Sequence, residues 1–317
     1  MTSAMTTSTV RLIFFGSTDD SVIVLSRLHQ LEIGNWKLEI ACVVTQPPRA
    51  VGREQIITPT PVEVWAKAHH IPVLSFASHS EKSWAYADEE QVVDALEPFK
   101  ADLIISACYG QRIPAETINK ARFGGLNVHP SLLPRWRGAD PVPWAILVGD
   151  HQTGVTVVTL SEKFDEGSIL AQKKLAILDT DTSDALRTKL FTMGADLLFE
   201  VFSDVLSMKR ITKNEVTNNN FSYARRFTRD DGFEPWETLQ KAFADPTEAQ
   251  KFYRKFRAFD PWPGVWTTVK VKSEKKRLKI IACHVDTVSG LFTIDTVQRE
   301  GKNPVSWTQF QNAYLPS

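Results

Sequence analysis

Val10-Arg11-Leu12-Ile13-Phe14-Phe15-Gly16-Ser17-Thr18-Asp19-Asp20 reads as a strand, a turn and the start of a helix. Its apolar run has the length of a buried strand, Gly16 supplies a turn, and the acidic pair opens a helix on which Val22, Val24, Leu25 and Leu28 recur at helical spacing. The alternation continues outward. Strand-like runs stand at 38–44, 103–107 and 126–128, and helix-like segments at 61–69 and 89–96 separate them. Strands alternating with helices predict an α/β fold, a doubly wound and mostly parallel sheet with ligands at the carboxyl ends of its strands.

Further along, the apolar run 154–160 and a strand over 169–178 precede a long amphipathic helix over 182–208. The polar stretch Lys213-Asn214-Glu215-Val216-Thr217-Asn218-Asn219-Asn220 has no periodicity. At 317 residues one hydrophobic core seldom suffices. We therefore expect a catalytic domain over 1–210, a linker over 211–222 and a second domain over 223–317. That second domain opens with a helix at 247–259 bearing Lys251, Arg254, Lys255 and Arg257, followed by the turn Pro261-Trp262-Pro263-Gly264. Short β-rich segments at 265–271, 278–283 and 291–296 predict a small OB-like antiparallel β-barrel, with Trp262 and Trp266 in its core.

Composition narrows the function. A hydrophobic share of 43% and a charged share of 23% describe a soluble globular chain. The formal charge of zero is unevenly divided: residues 211–317 hold 17 Lys and Arg against 12 Asp and Glu, a net of +5, leaving −5 on residues 1–210. The C-terminal part thus suits an anionic partner. Apolar runs are far shorter than a membrane span, and the polar opening 1–8 lacks a signal peptide's basic start and apolar stretch, so the expectation is a cytoplasmic protein without a membrane partner. Cys42, Cys108 and Cys283 are scattered and have no C-x-x-C spacing, so neither a disulfide framework nor a metal site is expected. The turn Phe15-Gly16-Ser17-Thr18 lacks a G-x-G-x-x-G fingerprint and argues against a dinucleotide cofactor.

The chemistry concentrates at Asn127-Val128-His129, two polar side chains at the end of a strand, and at Asp165 beyond the next apolar run. Acyl transfer to an amine passes through a tetrahedral species whose oxygen needs a donor and whose nitrogen must lose a proton. Asn127 can donate, His129 can donate or take the proton, and Asp165 can orient the imidazole and stabilise its cation. A structural alternative stands beside this: Asn127 capping a turn, His129 packed on Pro130, and Asp165 starting a loop.

The segment 127–141, Asn-Val-His-Pro-Ser-Leu-Leu-Pro-Arg-Trp-Arg-Gly-Ala-Asp-Pro, continued by Gly149-Asp150-His151-Gln152-Thr153-Gly154-Val155-Thr156, resembles the signature of the methionyl-tRNA formyltransferase family. Similarity extends through residues 45–53 and 107–110 to 257–264 and Gly301-Lys302, nearly the whole chain. The resemblance implies an N-terminal formyltransferase domain, a tRNA-binding C-terminal domain, and Asn127, His129 and Asp165 as catalytic trio. It implies that Ser131, Leu132, Leu133 and Pro134 line a site for 10-formyltetrahydrofolate, the formyl donor, and that the loop with Arg49 and Arg53 grips the acceptor end of initiator methionyl-tRNA. Lys270, Lys272, Lys275, Lys276, Arg277 and Lys279 crowd a hairpin and suit a phosphate backbone, with Lys270 and Lys272 named as tRNA contacts.

Three departures from the family pattern stand out. Glu54-Gln55-Ile56 replaces a glycine and lysine pair, Glu166 stands beside Asp165 where threonine is common, and Asp140 replaces an alanine. Asp140 is expected to pair with Arg137 or to cap the helix beginning at Pro141, and Glu166 to point outward. Direct transfer by a monomer, with no metal, is the expected chemistry. Formylation of an amino sugar nucleotide, hydrolysis of the formyl donor, and a catalytically inactive tRNA- or folate-binding protein are the alternatives.

Overall fold

The computed structural model describes residues 8–29, 31–52, 54–207, 221–271 and 274–314. Along the chain run β1 (Ser8–Phe15), α1 (Asp19–His29), β2 (Glu32–Ile33), β3 (Trp36–Thr45), β4 (Arg49–Val51), β5 (Ile56–Thr58), α2 (Pro61–Ala68), β6 (Val73–Ser75) and α3 (Glu89–Leu96). Next come β7 (Leu103–Ala107), α4 (Ala115–Lys120), β8 (Gly125–His129), β9 (Arg137–Gly138), α5 (Pro141–Val148), β10 (Gln152–Thr159), β11 (Ile169–Ala176) and α6 (Ser183–Leu206). The remainder holds β12 (Tyr223–Ala224), α7 (Trp236–Ala242), α8 (Pro246–Ala258), β13 (Trp266–Val271), β14 (Glu274–Val285), β15 (Phe292–Arg299), β16 (Val305–Ser306) and α9 (Trp307–Tyr314).

By contact the chain forms two units. The first comprises 1–139, 153–175 and 187–223; the second comprises 140–152, 176–186 and 224–317. The sequence places a single cut at 211–222, of which 211–220 lie outside the described residues. Contact instead assigns α5 to the second unit, and its sequence explains why. Pro-Val-Pro-Trp-Ala-Ile-Leu-Val has no polar face; Val142, Ala145 and Ile146 are buried, and the helix packs on α8. Gly149 ends it at φ +83°, with the Arg254 side chain of α8 3.4 Å from where a Cβ would stand.

In the first unit the sheet order is β11-β10-β8-β7-β1-β3-β2, with β6 also on β3. Strands β3, β1, β7 and β8 pair in parallel, and β10 runs antiparallel to β8. Every residue of β7 is buried, as a central parallel strand covered on both faces requires. Leu12, Phe14, Leu103 and Ile105 pack with Leu25, Phe191, Leu198 and Phe202 on one face; Ile13, Phe15, Ile104, Val92 and Leu96 pack on the other. Gly194 lets α6 lie close to β8: a Cβ there would stand 2.5 Å from Val128 Cγ1. Residues 49–51 and 56–58 pair as the antiparallel strands β4 and β5 where a loop was expected, with Val51, Ile56 and Ile57 exposed.

The second unit carries an antiparallel sheet in the order β13-β14-β15-β16. Thr267, Val269, Leu278 and Ile280 turn to its interior. The alternate positions, paired as Trp266 with Lys279, Thr268 with Arg277 and Lys270 with Lys275, share the opposite face. Trp262 corrects the sequence expectation, since it is 56% exposed rather than core. Trp266 donates its indole N–H to the Arg229 carbonyl at 3.2 Å, under the Arg277 guanidinium. Helices α7 and α9, which periodicity did not reveal, add Trp236, Trp307 and Phe310 to an aromatic cluster with Phe243. Among the described residues no helix is long and apolar enough to cross a membrane.

Candidate active site

Strand β8 places Asn127 and His129 on one face of the sheet at its carboxyl end, because residues two apart in a strand point the same way. Val128 points oppositely and is buried beneath α6. Asp165 lies in the turn between β10 and β11, in left-handed backbone at φ +57°. Gly167 fixes that turn. A Cβ on it would stand 1.8 Å from the Thr159 carbonyl oxygen, so only glycine permits this approach. Thr159 N–H donates to the Ser168 carbonyl at 3.0 Å, and Ser168 N–H to Thr159 Oγ1 at 2.8 Å.

The three polar side chains meet. His129 Nδ1 lies 3.3 Å from Asp165 Oδ1, and Asn127 Nδ2 donates to the same oxygen at 3.5 Å. Gly138 N–H donates to Asp165 Oδ2 at 2.9 Å. His129 Nε2 lies 2.9 Å from the Trp136 carbonyl oxygen. A carbonyl only accepts, and an ionised carboxylate only accepts, so the two contacts favour hydrogen on both ring nitrogens and stabilise the imidazolium form. Burial opposes charge on His129, yet the Asp165 charge and hydrogen bond, helped by the Trp136 carbonyl, raise its pKa above the ordinary 6.5. Burial likewise opposes charge on Asp165, but His129, the Gly138 N–H and the Arg137 guanidinium hold its carboxyl below the ordinary 3.8. Both side chains are nearly sealed, at 5% and 8% exposure.

Arg137 and Glu166 form the flank. Arg137 Nη1 lies 3.3 Å from Glu166 Oε1, and Lys163 Nζ lies 3.6 Å from Glu166 Oε2. Glu166 therefore faces Arg137 from a partly exposed position. Asp140 caps no helix with its side chain; its carboxylate accepts the Phe227 N–H at 2.7 Å.

The turn after His129 is tightly braced. Ser131 is fully buried and donates its hydroxyl to the Arg135 carbonyl at 2.7 Å; Leu133 is buried, and its N–H donates to Thr156 Oγ1 at 3.2 Å. Thr156 Oγ1 donates to the Ser131 carbonyl at 2.7 Å, and Gln172 Nε2 donates to the Leu133 carbonyl at 2.9 Å. Ser131 and Leu133 thus hold the turn, while Leu132 and Pro134 are partly exposed and keep apolar surface for a ligand. Arg49 is exposed on β4, donating to Gln46 Oε1 at 2.5 Å, and Lys270 is exposed on β13. Arg53 and Lys272 lie outside the described residues.

Residue types in the sequence did not identify the Trp136 carbonyl, the Gly138 N–H, Arg137, Thr156, Gln172 or Gly167 as parts of the site. Only the two glycines carried a signal, as residues able to bring backbone close. Burial pushes the Cys42 and Cys108 thiols up to about 12, so neither is a thiolate nucleophile at neutral pH. Among the described residues no group of three or more His, Cys, Asp or Glu is placed to hold a metal ion.

Comparison with known proteins bears on this geometry. A family described as "Formyl transferase" matches residues 10–202, and one described as "Formyl transferase, C-terminal domain" matches 246–292. A methionyl-tRNA formyltransferase of Bacillus cereus (strain B4264) is 37% identical over 262 residues, 82% of this chain and 76% of the relative. A 4-N formyltransferase from Francisella tularensis superposes with TM-score 0.60 at 16% identity, over 84% of this chain and 95% of its own. HypX from Aquifex aeolicus, solved with tetrahydrofolic acid, superposes with TM-score 0.58 at 16% identity, over 98% of this chain and 48% of its own. At such identity these two likenesses are of fold.

Proposed function

The chain belongs to the formyl transferase family, and from that premise we propose that it moves a formyl group from 10-formyltetrahydrofolate to the α-amino group of methionine carried by initiator tRNA. The observation that carries this reading is the convergence of Asn127, His129 and Asp165 at the carboxyl end of β8, in a chain whose relatives of like length are methionyl-tRNA formyltransferases. The tetrahydrofolate complex of a fold neighbour supports a folate-derived donor. On this reading the protein acts as a cytoplasmic monomer, with Arg49, Arg53, Lys270 and Lys272 among its tRNA contacts.

The trio fits the reaction. The neutral amine attacks the formyl carbon and the carbonyl electron pair moves onto oxygen; one proton passes from the amine nitrogen to the departing folate nitrogen, so that collapse forms the new amide and releases tetrahydrofolate. The amide of Asn127 has two N–H donors; one is spent on Asp165, which leaves the other for the developing oxyanion. The His129 imidazolium adds a fixed positive charge in a site of low dielectric. With both ring nitrogens facing acceptors, the cationic form is favoured and the ring is a poor base. Asp165, held by three donors, is a poor base as well, so the trio acts by charge and position.

Single-turnover formylation of charged initiator tRNA beside elongator tRNA, with and without donor, tests the proposal. His129→Ala is expected to lose on the order of 10²–10³-fold in rate. Full rate in that variant, or no transfer by the wild-type chain, refutes the reading. Binding that weakens steeply with salt separates a tRNA substrate from an amino sugar nucleotide, which needs no extended cationic face.

A further inference from the structure

We propose that Arg137 is a positioning residue of the site: it keeps the Asp165 carboxylate charged and aimed at His129, and Glu166 sets how much of the Arg137 charge Asp165 feels. One short strand does both jobs. Its backbone presents the Gly138 N–H to Asp165 Oδ2 at 2.9 Å, and its side chain holds a guanidinium 3.3 Å from Glu166, the residue next to Asp165, so that its charge acts on the Asp165 carboxylate too. The strand itself is anchored, since Arg137 N–H donates to the Ser222 carbonyl at 2.9 Å. The Arg137 side chain is 9% exposed, with its guanidinium 5.0 Å from the centre of the Phe221 ring, so solvent screens it little.

A buried imidazolium and carboxylate lose hydration, and their mutual attraction offsets this only when further groups support them. A second cation behind Asp165 supplies that support. Glu166, next to Asp165 in the chain, draws on the same cation at 3.3 Å and is itself 40% exposed at the side chain. Among the described residues, the charged groups at Asp165 and its turn are His129 from β8, Arg137 from β9, and Glu166, which Lys163 Nζ approaches at 3.6 Å.

Removing the cation and removing its competitor therefore have opposite signs. In Arg137→Gln the carboxylate becomes easier to protonate, and the acid limb of kcat moves up by about one pH unit. In Glu166→Gln it becomes harder to protonate, and the limb moves down by a smaller amount. Arg137→Lys keeps a charge and restores most of the wild-type profile. KM for the donor stays within about threefold throughout, because binding is not what these residues set.

The kinetic arm rests on the formyl-transfer reading; a second arm does not. Titration of the Asp165 carboxyl by carbon NMR, assigned by its loss in Asp165→Asn, reads the same two displacements without turnover. Opposite displacements support the inference. Arg137→Gln that slows the reaction equally at every pH, together with Glu166→Gln that moves neither limb nor resonance, overturns it. If Arg137→Gln does not fold, Glu166→Gln and Arg137→Lys carry the test. A wild-type chain that transfers no formyl group refutes the proposed function and leaves the NMR outcome to decide this one.

Discussion

Gly167→Ala tests how the site is assembled. The added Cβ would stand 1.8 Å from the Thr159 carbonyl oxygen and 2.7 Å from its carbon, so the obstacle is backbone and not a side chain that swings aside. Ordinary contact begins at 3.4 Å, so the two segments must part by about 1.6 Å. Strand β10 is held in register with β8, Thr159 opposite Leu126 and Val158 opposite Asn127. The turn bearing Asp165 is then the part that moves. The Thr159–Ser168 pair of hydrogen bonds spans this junction and is lost, and overpacking adds to the cost, for a total of about 2–4 kcal/mol.

The catalytic cost follows from the small slack at Asp165. Its oxygen is 3.3 Å from His129 Nδ1, already near the limit for a hydrogen bond. A misplacement of about 1 Å is worth on the order of 10²-fold in rate. Gly167→Ala is therefore expected to lower single-turnover kcat about 100-fold while KM for the donor changes only a few-fold. Gly194→Ala is the control: its Cβ meets the side chains of Val128 and Val155, on the far face of β8, so it lowers stability with a much smaller effect on rate. Urea denaturation followed by tryptophan fluorescence confirms that each variant is folded. A folded Gly167→Ala protein with a rate within threefold of wild type refutes this account of how Asp165 is placed.

Further outcomes follow from the same geometry. The His129–Asp165 pair contributes its full stability between the ordinary carboxylate value of 3.8 and the ordinary imidazole value of 6.5; the contribution fades as pH rises through the raised His129 value and as pH falls through the lowered Asp165 value. The Tm difference between wild type and His129→Ala is accordingly largest in that window, and a difference that grows steadily toward alkaline pH contradicts it. Thr156→Val removes the donor to the Ser131 carbonyl and the acceptor of the Leu133 N–H, costing about 1–3 kcal/mol in urea denaturation; an unchanged midpoint contradicts the bracing role. Replacing Lys270, Arg277 and Lys279 together by Ala is expected to weaken tRNA binding and reduce the slope of log K against log salt by about 2–3, with KM for the donor unchanged. An unaltered slope removes this face from the tRNA interface.

The sheet was legible because its strands announce themselves. Runs such as 10–15 and 103–107 are apolar on both faces, and only a central parallel strand needs that. Asn127 and His129 were legible as a pair for a related reason, since two polar residues two apart interrupt an apolar strand on one face only. Helix α5 misled the domain reading: a segment apolar all round signals burial but does not say against what, and the partner, α8, lies about a hundred residues on in the chain. Asp140 misled it in the same way. The nearest cation in sequence is Arg137, yet the carboxylate accepts a backbone N–H from Phe227, and backbone donors look alike at every position.

That blindness to backbone also decided how the imidazole was understood. Residue type alone allows His129 to give or to accept a proton, and both options stood open in the sequence. The Trp136 carbonyl closes one of them. Trp136 sits in left-handed backbone at φ +60°, and its oxygen lies 2.9 Å from Nε2 while a carboxylate faces Nδ1. Two acceptors on one ring favour hydrogen on both nitrogens, which stabilises the cationic form and moves the work of catalysis from proton abstraction toward stabilising charge on the reacting oxygen. A site of that kind depends on whatever keeps Asp165 ionised and Asp165 in place, which is why a glycine two residues after it and an arginine 28 residues before it weigh as heavily here as the three side chains that motif and spacing single out.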